Sequence, residues 1–395
     1  MKAQDEHYDV VVIGAGPSGS VASALLNKKG YRVLILEKEY FPRFSIGESL
    51  LPQCMTYLEQ AGMLAAVEDA KFQFKNGAAF GRGDEYQFFD FREKFDKILA
   101  DEAQKQGVEV RFGHSLCAFE TVNKLGCLTV LGEDNLEYKL TTDFVLDASG
   151  FGRVLPKMLK LEKPSTLSDR SAIFTHIQDN IVCDTYDRNK ILITVHPEHS
   201  EIWYWLIPFS NGRASLGVVI PQAQLDKMSG EPIDKLQQLV AQGGKLGEIL
   251  AHANYDIDVK TLGSYSCDVT QLYGDNYALL GNAGEFLDPI FSSGVTIAMT
   301  SAGLAAETLD KQLSGQQPDW EICFSEPLKA GINTFKEFVE GWYDERFQTV
   351  VFSKHKNQNV TRMLSSILAG YAWDTKNPYV KSPARLTTLA ELCRQ

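Results

Sequence analysis

Four groups of residues have types and spacings that could do chemistry. Gly14-Ala15-Gly16-Pro17-Ser18-Gly19 is a G-x-G-x-x-G turn, with Glu37 eighteen residues beyond Gly19. In such a turn Gly14 permits the tight bend, Gly16 lets the backbone approach a pyrophosphate, and Gly19 lets helix and strand pack closely. The following helix start offers free N–H groups and a partial positive charge, and Glu37 stands where an acid would hydrogen-bond a ribose hydroxyl. Alone, the motif also fits a glycine-rich turn in some other α/β protein. Ser292-Ser293-Gly294 opens a second helical segment whose free N–H groups could hold a small anion. Trp203 and Trp205 alternate on a strand and share one face, either as core aromatics or as the wall of a site. Lys75 lies near a strand turn, where a lysine is ordinarily a solvated surface group.

The elements that must position these groups follow from periodicity. Val10 to Ile13 and Val33 to Leu36 read as buried strands flanking a helix that Gly30 stops, a βαβ opening. Gly47-Glu48-Ser49 begins a helix running to Gly62, and Lys94 to Gln106 reads as a helix ended by Gly107. Val108 to Leu140 reads as a small meander, and Phe144 to Ala148 as an apolar strand broken at Ser149-Gly150. From Ser171 to Pro221 the period becomes two. Ala172–Thr175, Ile191–Val195, Ile202–Ile207 and Ala214–Ile220 are expected as four antiparallel strands. Beyond Gly294 the pattern is helical: Val295 to Leu313, Trp320 to Phe347, and Val360 to Leu368. The expected fold is α/β. A Rossmann-like nucleotide-binding domain spans 1–165, with a small inserted sheet at 71–91. An antiparallel-sheet substrate domain spans 166–265. The first domain resumes at 266–312, and a helical region occupies 313–395.

Composition narrows the function. Among 395 residues the formal net charge is -12, apolar content is 44%, and no Lys/Arg cluster could neutralise phosphates. A nucleic-acid partner is therefore not expected. No apolar run reaches the roughly 18 residues of a membrane span, and the first residues lack a signal-peptide apolar stretch. A cytoplasmic enzyme is expected. The seven cysteines are scattered without a C-x-x-C, which reads as reduced thiols. The histidines show no metal-ligand spacing apart from His196/Glu198/His199 in a loop, and no metal is expected.

Further motifs carry a family resemblance. Asp147-Ala148-Ser149-Gly150 resembles the D-x-S-G motif of FAD-dependent monooxygenases. Gly281-Asn282-Ala283 resembles their second flavin motif, with Asn282 in place of the usual aspartate. Within that p-hydroxybenzoate-hydroxylase-like group, the chain resembles the flavin-dependent halogenases. Trp203-Tyr204-Trp205-Leu206-Ile207-Pro208 matches W-x-W-x-I-P, and Asp288 to Val295 matches D-P-x-F-S-S-G-V. Lys75 falls at the family's catalytic lysine, and the loop from Pro42 to Ser49 matches the flavin-proximal loop. The resemblance runs from Tyr8 to about Leu304.

The resemblance implies a function and a set of roles. Reduced FAD, delivered by a separate flavin reductase, would react with oxygen so that chloride or bromide becomes hypohalous acid. Lys75 would direct that species onto an electron-rich aromatic ring. Ser293 and Gly294 would hold the halide through backbone N–H groups, with Ser292 beside them. Trp203 and Trp205 would keep substrate away from the flavin. FAD would be held by Gly14, Gly16, Pro17, Ser18, Gly19, Glu37 and Lys38, by Arg43, Ser45, Ile46, Gly47 and Arg92, and by Asp147, Gly281, Asn282, Pro289, Gly294 and Val295. Phe291 stands where tryptophan halogenases usually carry glutamate, which points to phenol- or pyrrole-like rings, free or tethered to a carrier protein. The segment before Arg92 is shorter than usual for the family. Two alternatives stay open: a halide-independent monooxygenase, dehydrogenase or reductase of the same fold, and a flavin-binding protein without turnover.

Overall fold

The structure is a computed structural model describing residues 6–41, 49–73, 75–83, 85–90, 97–182, 186–354 and 357–394. Within those residues the chain contributes strands β1 (Glu6–Ile13), β2 (Val33–Glu37), β3 (Gly77–Arg82), β4 (Glu85–Asp90), β5 (Glu109–Phe112), β6 (Ser115–Val122), β7 (Leu125–Leu131) and β8 (Glu137–Asp147). There follow β9 (Glu162–Pro164), β10 (Arg170–Gln178), β11 (Lys190–Val195), β12 (Trp203–Pro208), β13 (Arg213–Pro221) and β14 (Lys260–Gly263). The last are β15 (Cys267–Val269), β16 (Tyr273–Gly274) and β17 (Tyr277–Leu279).

The first sheet runs β16-β17-β8-β1-β2-β5, with the β6/β7 hairpin joined to β8. β1 is parallel to β2 on one side (Val10 opposite Val33) and to β8 on the other (Val10 opposite Phe144). A strand enclosed this way needs apolar residues on both faces, which explains why Val10 to Ile13 do not alternate. The helix Pro17–Lys28 follows β1, and the long helix Ser293–Leu313 packs against it. The long helix buries Ala302, Ala305 and Ala306, small side chains that permit a close approach.

The second sheet runs β14-β10-β13-β12-β11-β3-β4. All its pairs are antiparallel except β11 with β3, which is parallel from Lys190/Gly77 to Val195/Arg82. The four expected antiparallel strands are present. Segment 71–91 departs from expectation. Its strands do not form a small sheet of their own but extend the second sheet, because β3 finds the open edge of β11. This sheet is apolar on both faces. Trp203, Trp205, Ile193 and Phe80 belong to the core shared with the first sheet. Tyr204, Leu206, Leu216 and Val218 pack on the other side with Leu236 and Leu239 of the helix Pro232–Gln242. Burying both faces accounts for the uninterrupted WYWLI run.

The C-terminal region also differs from expectation. Trp320 to Phe347 is not one helix. A π-helical turn at Glu321–Ser325 leads into the helix Glu326–Tyr343, and Glu345 adopts a left-handed φ of 68° before a new helix, Arg346–Val351. The expected helix from Lys94 is described from Lys97 to Lys105.

Candidate active site

A cavity of about 660 Å³ lies between the two sheets. That is within the range of small-molecule and cofactor pockets. Gly14, Gly16, Pro17, Ser18, Glu37 and Lys38 line one end. Trp203, Trp205, Asn282, Pro289, Ser292, Gly294 and Val295 line the other. Ile13, at the end of β1, and Val295, in the first turn of the helix Ser293–Leu313, thus line the same cavity although far apart in sequence.

The glycine turn is shaped as its motif requires. Gly14 has φ +99°, and a Cβ there would stand 2.6 Å from the Ala148 carbonyl oxygen. A Cβ on Gly19 would stand 1.9 Å from the Gly14 carbonyl oxygen. Gly19 therefore does not face the cavity; it allows the helix to start against the turn. No side chain caps the helix Pro17–Lys28, and its first turn holds no acid. Its N–H groups are left for an anionic ligand. Glu37 is buried, with Oε2 accepting the Ala15 N–H at 2.9 Å and Oε1 accepting the Glu39 N–H at 2.9 Å.

Asp147 differs from expectation. Its carboxylate is fully buried and accepts the N–H groups of Ser149 at 2.9 Å and Leu155 at 2.7 Å. It folds the loop 149–155 rather than facing the cavity, and Ser149 to Gly152 line the wall instead. Burial pushes its pKa above the usual carboxylate value, against the pull of those donors and Arg153. Arg153 in turn clamps two loops together. Its Nη1 donates to the carbonyls of Asn282 (3.2 Å) and Gly284 (3.4 Å), and its Nη2 to that of Asp268 (3.0 Å). Gly281, at φ +52°, lies under Ala298 and likewise supports the turn without lining the cavity.

At the other end, Trp203 and Trp205 have ring centroids 5.9 Å apart. Trp205 Nε1 donates to Ser215 Oγ at 3.0 Å and its ring lies across Gly217, where a Cβ would be 2.1 Å from Cζ2. Ser292 adopts a left-handed φ of 50° and starts the helix Ser293–Leu313, which again has no side-chain cap. Gly294 faces the cavity close to the Asn282 side chain, while the Ser293 side chain is buried away from it.

Lys75 is buried, 3% exposed, but does not line this cavity. Its Nζ donates to the carbonyls of Pro208, the last residue of β12, and Arg188. The residue after it is stitched to the same place: Asn76 N–H donates to Asn189 O at 2.7 Å, and Lys190 Nζ to Asn76 Oδ1 at 2.8 Å. Arg43, Ser45, Ile46, Gly47 and Arg92 lie outside the described residues.

Sequence reasoning missed His114, Ser115 and Leu116, which reach the cavity only through the pairing of β2 with β5, and Phe286, which packs on Phe151. It also missed Ile191 and Ile193. The two-residue period and the pairing of Ile193 with Trp205 put them on the tryptophan face, a signal that was available.

The residues present fit FAD. Two uncapped helix N-termini open on one cavity, a glycine turn too tight for a Cβ at Gly14 or Gly19 lies at one end, and an aromatic wall lies at the other. His7, Asp9 and Asp143 are near enough to one another to share an ion, but they are at the surface and far in kind from this chemistry. No described helix is long and apolar enough to cross a membrane.

Known proteins agree with this geometry. The family described as tryptophan halogenase matches residues 9–93 and 85–381. A tryptophan 2-halogenase of Chondromyces crocatus is 30% identical over 78% of this chain, which spans 62% of that relative's length. A 1H-pyrrole-2-carbonyl peptidyl-carrier-protein chlorinase of Pseudomonas fluorescens is 26% identical over 86% of this chain and 84% of its own. A solved structure described as a flavoprotein/dehydrogenase of Cytophaga hutchinsonii superposes with a TM-score of 0.93 at 40% identity, covering 98% of this chain and 99% of that one. With the family's match extending over most of the chain, this protein belongs to the flavin-dependent halogenases, a family of FAD-using oxidoreductases.

Proposed function

We propose that the protein halogenates an electron-rich aromatic ring, phenol- or pyrrole-like, using reduced FAD, oxygen and chloride or bromide. One observation carries the reading. The uncapped start of the helix Ser293–Leu313 opens on the same cavity as the glycine turn and the tryptophan pair. In a flavoprotein without halide chemistry the same helix start would meet only the flavin ring. A small-anion site at the far end, walled by two tryptophans, suits a halide.

Reduced FAD, when bound, would activate oxygen, the two-electron oxidant that turns halide into an electrophile. The chain's own residues do the rest. The turn Gly14–Gly19 and the helix start behind it hold the pyrophosphate, and Glu37 takes a ribose hydroxyl. The Ser293 and Gly294 N–H groups hold the halide by dipole and hydrogen bond. Trp203 and Trp205 fill the space that substrate would otherwise enter, and exclude water from it. Lys75 directs the electrophile. A buried ammonium is a compact donor that positions its partner, which shortens the path to a productive geometry. To act so, its Nζ exchanges the Pro208 or Arg188 carbonyl for the incoming species.

The ring type rests on Phe291. It packs on Phe347 (5.5 Å) and Trp342 (6.4 Å), so this position belongs to an aromatic cluster. An aromatic ring in place of a carboxylate at position 291 leaves nothing there to pair with an ammonium, which favours a neutral ring over a free amino acid. The carrier-protein chlorinase among the relatives supports a tethered substrate. The sequence holds no second nucleotide motif, so a separate flavin reductase supplies reduced FAD, and the enzyme works in the cytoplasm.

A halide-independent flavin dehydrogenase or monooxygenase is favoured by two observations: Lys75 stands off the cavity, and the Cytophaga hutchinsonii protein is described as a dehydrogenase. One experiment decides. Reduced FAD, oxygen and each halide are supplied with free and carrier-bound aromatics, and product masses are read. Halogenated product supports the reading, and halide-independent oxidation replaces it.

A further inference from the structure

A buried chain of hydrogen bonds lies behind the anion turn. Trp203 Nε1 donates to Tyr343 Oη at 2.9 Å. Tyr343 Oη donates to Asp288 Oδ2 at 2.8 Å, and Tyr265 Oη donates to the same oxygen at 2.9 Å. Asp288 Oδ1 accepts the Ile290 N–H at 3.0 Å and so caps the short turn Pro289–Phe291 that delivers Ser292 to the helix start. The Arg170 guanidinium lies 3.5 Å from the centre of the Tyr343 ring. Trp203, Asp288 and Tyr265 are each under 5% exposed.

Each link has one physical purpose. Trp203 lines the cavity, and its indole N–H would be buried without an acceptor if Tyr343 were absent. Asp288 is a carboxylate removed from water, and burial pushes its pKa up. Three donors and the nearby Arg170 charge compensate it. Tyr343 is the shared member. It comes from the end of the helix Glu326–Tyr343, outside both sheets, and its single hydroxyl holds the tryptophan wall and the cap of the anion turn at once.

We propose that Tyr343 is a positioning residue for the halide. Through Asp288 it fixes the turn that aims the Ser293 and Gly294 N–H groups, and through Trp203 it fixes the wall facing them. The C-terminal helical region thereby sets the halide site without touching halide or flavin. This proposal rests on the halogenase reading.

The test needs no aromatic substrate. Oxidised FAD is titrated into wild type and Tyr343→Phe by quenching of its fluorescence. Bromide is then titrated against the absorption spectrum of the bound flavin. Tyr343→Phe keeps the ring and its contact with Arg170 and removes only the hydroxyl. Losing one buried charge-assisted hydrogen bond should weaken bromide binding by about tenfold, with FAD affinity within about twofold. Equal bromide affinity in the two proteins overturns the proposal, as does an equal loss for FAD and bromide. If Tyr343→Phe does not fold, Tyr265→Phe removes the other donor to Asp288; it should weaken bromide several-fold, and unchanged bromide affinity overturns the proposal. A wild type that responds to no halide while binding FAD removes the halogenase reading instead, and the proposal with it.

Discussion

The proposed mechanism gives Lys75 and Trp205 different roles. Lys75→Ala should reduce halogenation by more than about hundredfold, on the scale of losing a positioned polar catalyst, while FAD titration stays unchanged. Retained halogenation would remove Lys75 from the mechanism. Trp205 should behave differently. Trp205→Ala opens a void and costs about 3–5 kcal/mol of stability, measurable by denaturant unfolding, yet it should not abolish turnover if the role is steric. Gly217→Ala approaches the same ring from the other side. Its Cβ would meet Trp205 at 2.1 Å, so it should cost about 1–3 kcal/mol and weaken FAD binding. At this scale the sequence was a good guide wherever backbone geometry demands a residue type. Gly14 and Gly19 are needed for the reasons their spacing suggests. It was a poor guide for Asp147, because which way a motif side chain points depends on where loop 149–155 folds. Lys75 was legible as a motif position, but its partners, the Pro208 and Arg188 carbonyls, come from distant strands.

At the scale of elements, the two helix starts matter most. Gly19→Ala would set a Cβ 1.9 Å from the Gly14 carbonyl oxygen, displacing the helix Pro17–Lys28 from its turn. FAD affinity should fall by at least about tenfold even if the protein folds; an unchanged titration would mean that this turn does not hold the cofactor. Strands were readable from period and from apolar runs: β1, β2 and β10 to β13 stand close to where they were expected. Their partners were not readable. Nothing in Gly77 to Arg82 announces a parallel neighbour at Lys190 to Val195, because parallel edges between distant segments are chosen by which edge is open. The break at Asp344-Glu345 was equally hidden. Glu345 adopts a left-handed φ without being Gly, Asn or Asp, the residues whose presence ordinarily signals one.

An FAD-type sheet and a second sheet enclose one cavity, with the helical region packed behind it through Tyr343, and the protein's behaviour should reflect that joining. Glu285, just beyond the second flavin motif, is pushed up from 4.5 to about 6 by burial, then by Asp268, with Lys336 pulling the other way. A carboxyl raised by folding stabilises the fold below its unfolded value and loses that contribution as pH rises through the folded one. Stability attributable to Glu285 is therefore lost between about pH 4.5 and pH 6. Glu285→Gln should stabilise the protein by about 1–2 kcal/mol at pH 7.5, with no gain at pH 4; thermal unfolding at the two pH values checks this. The central claim is that this cavity makes an electrophilic halogen. Its most direct measurement is the mass of product formed from an electron-rich aromatic, free or carrier-bound, with reduced FAD, oxygen and bromide, beside the same mixture without halide. Product carrying the bromine isotope pair only in the first mixture is the predicted result. Oxidised product of the same mass in both would contradict it.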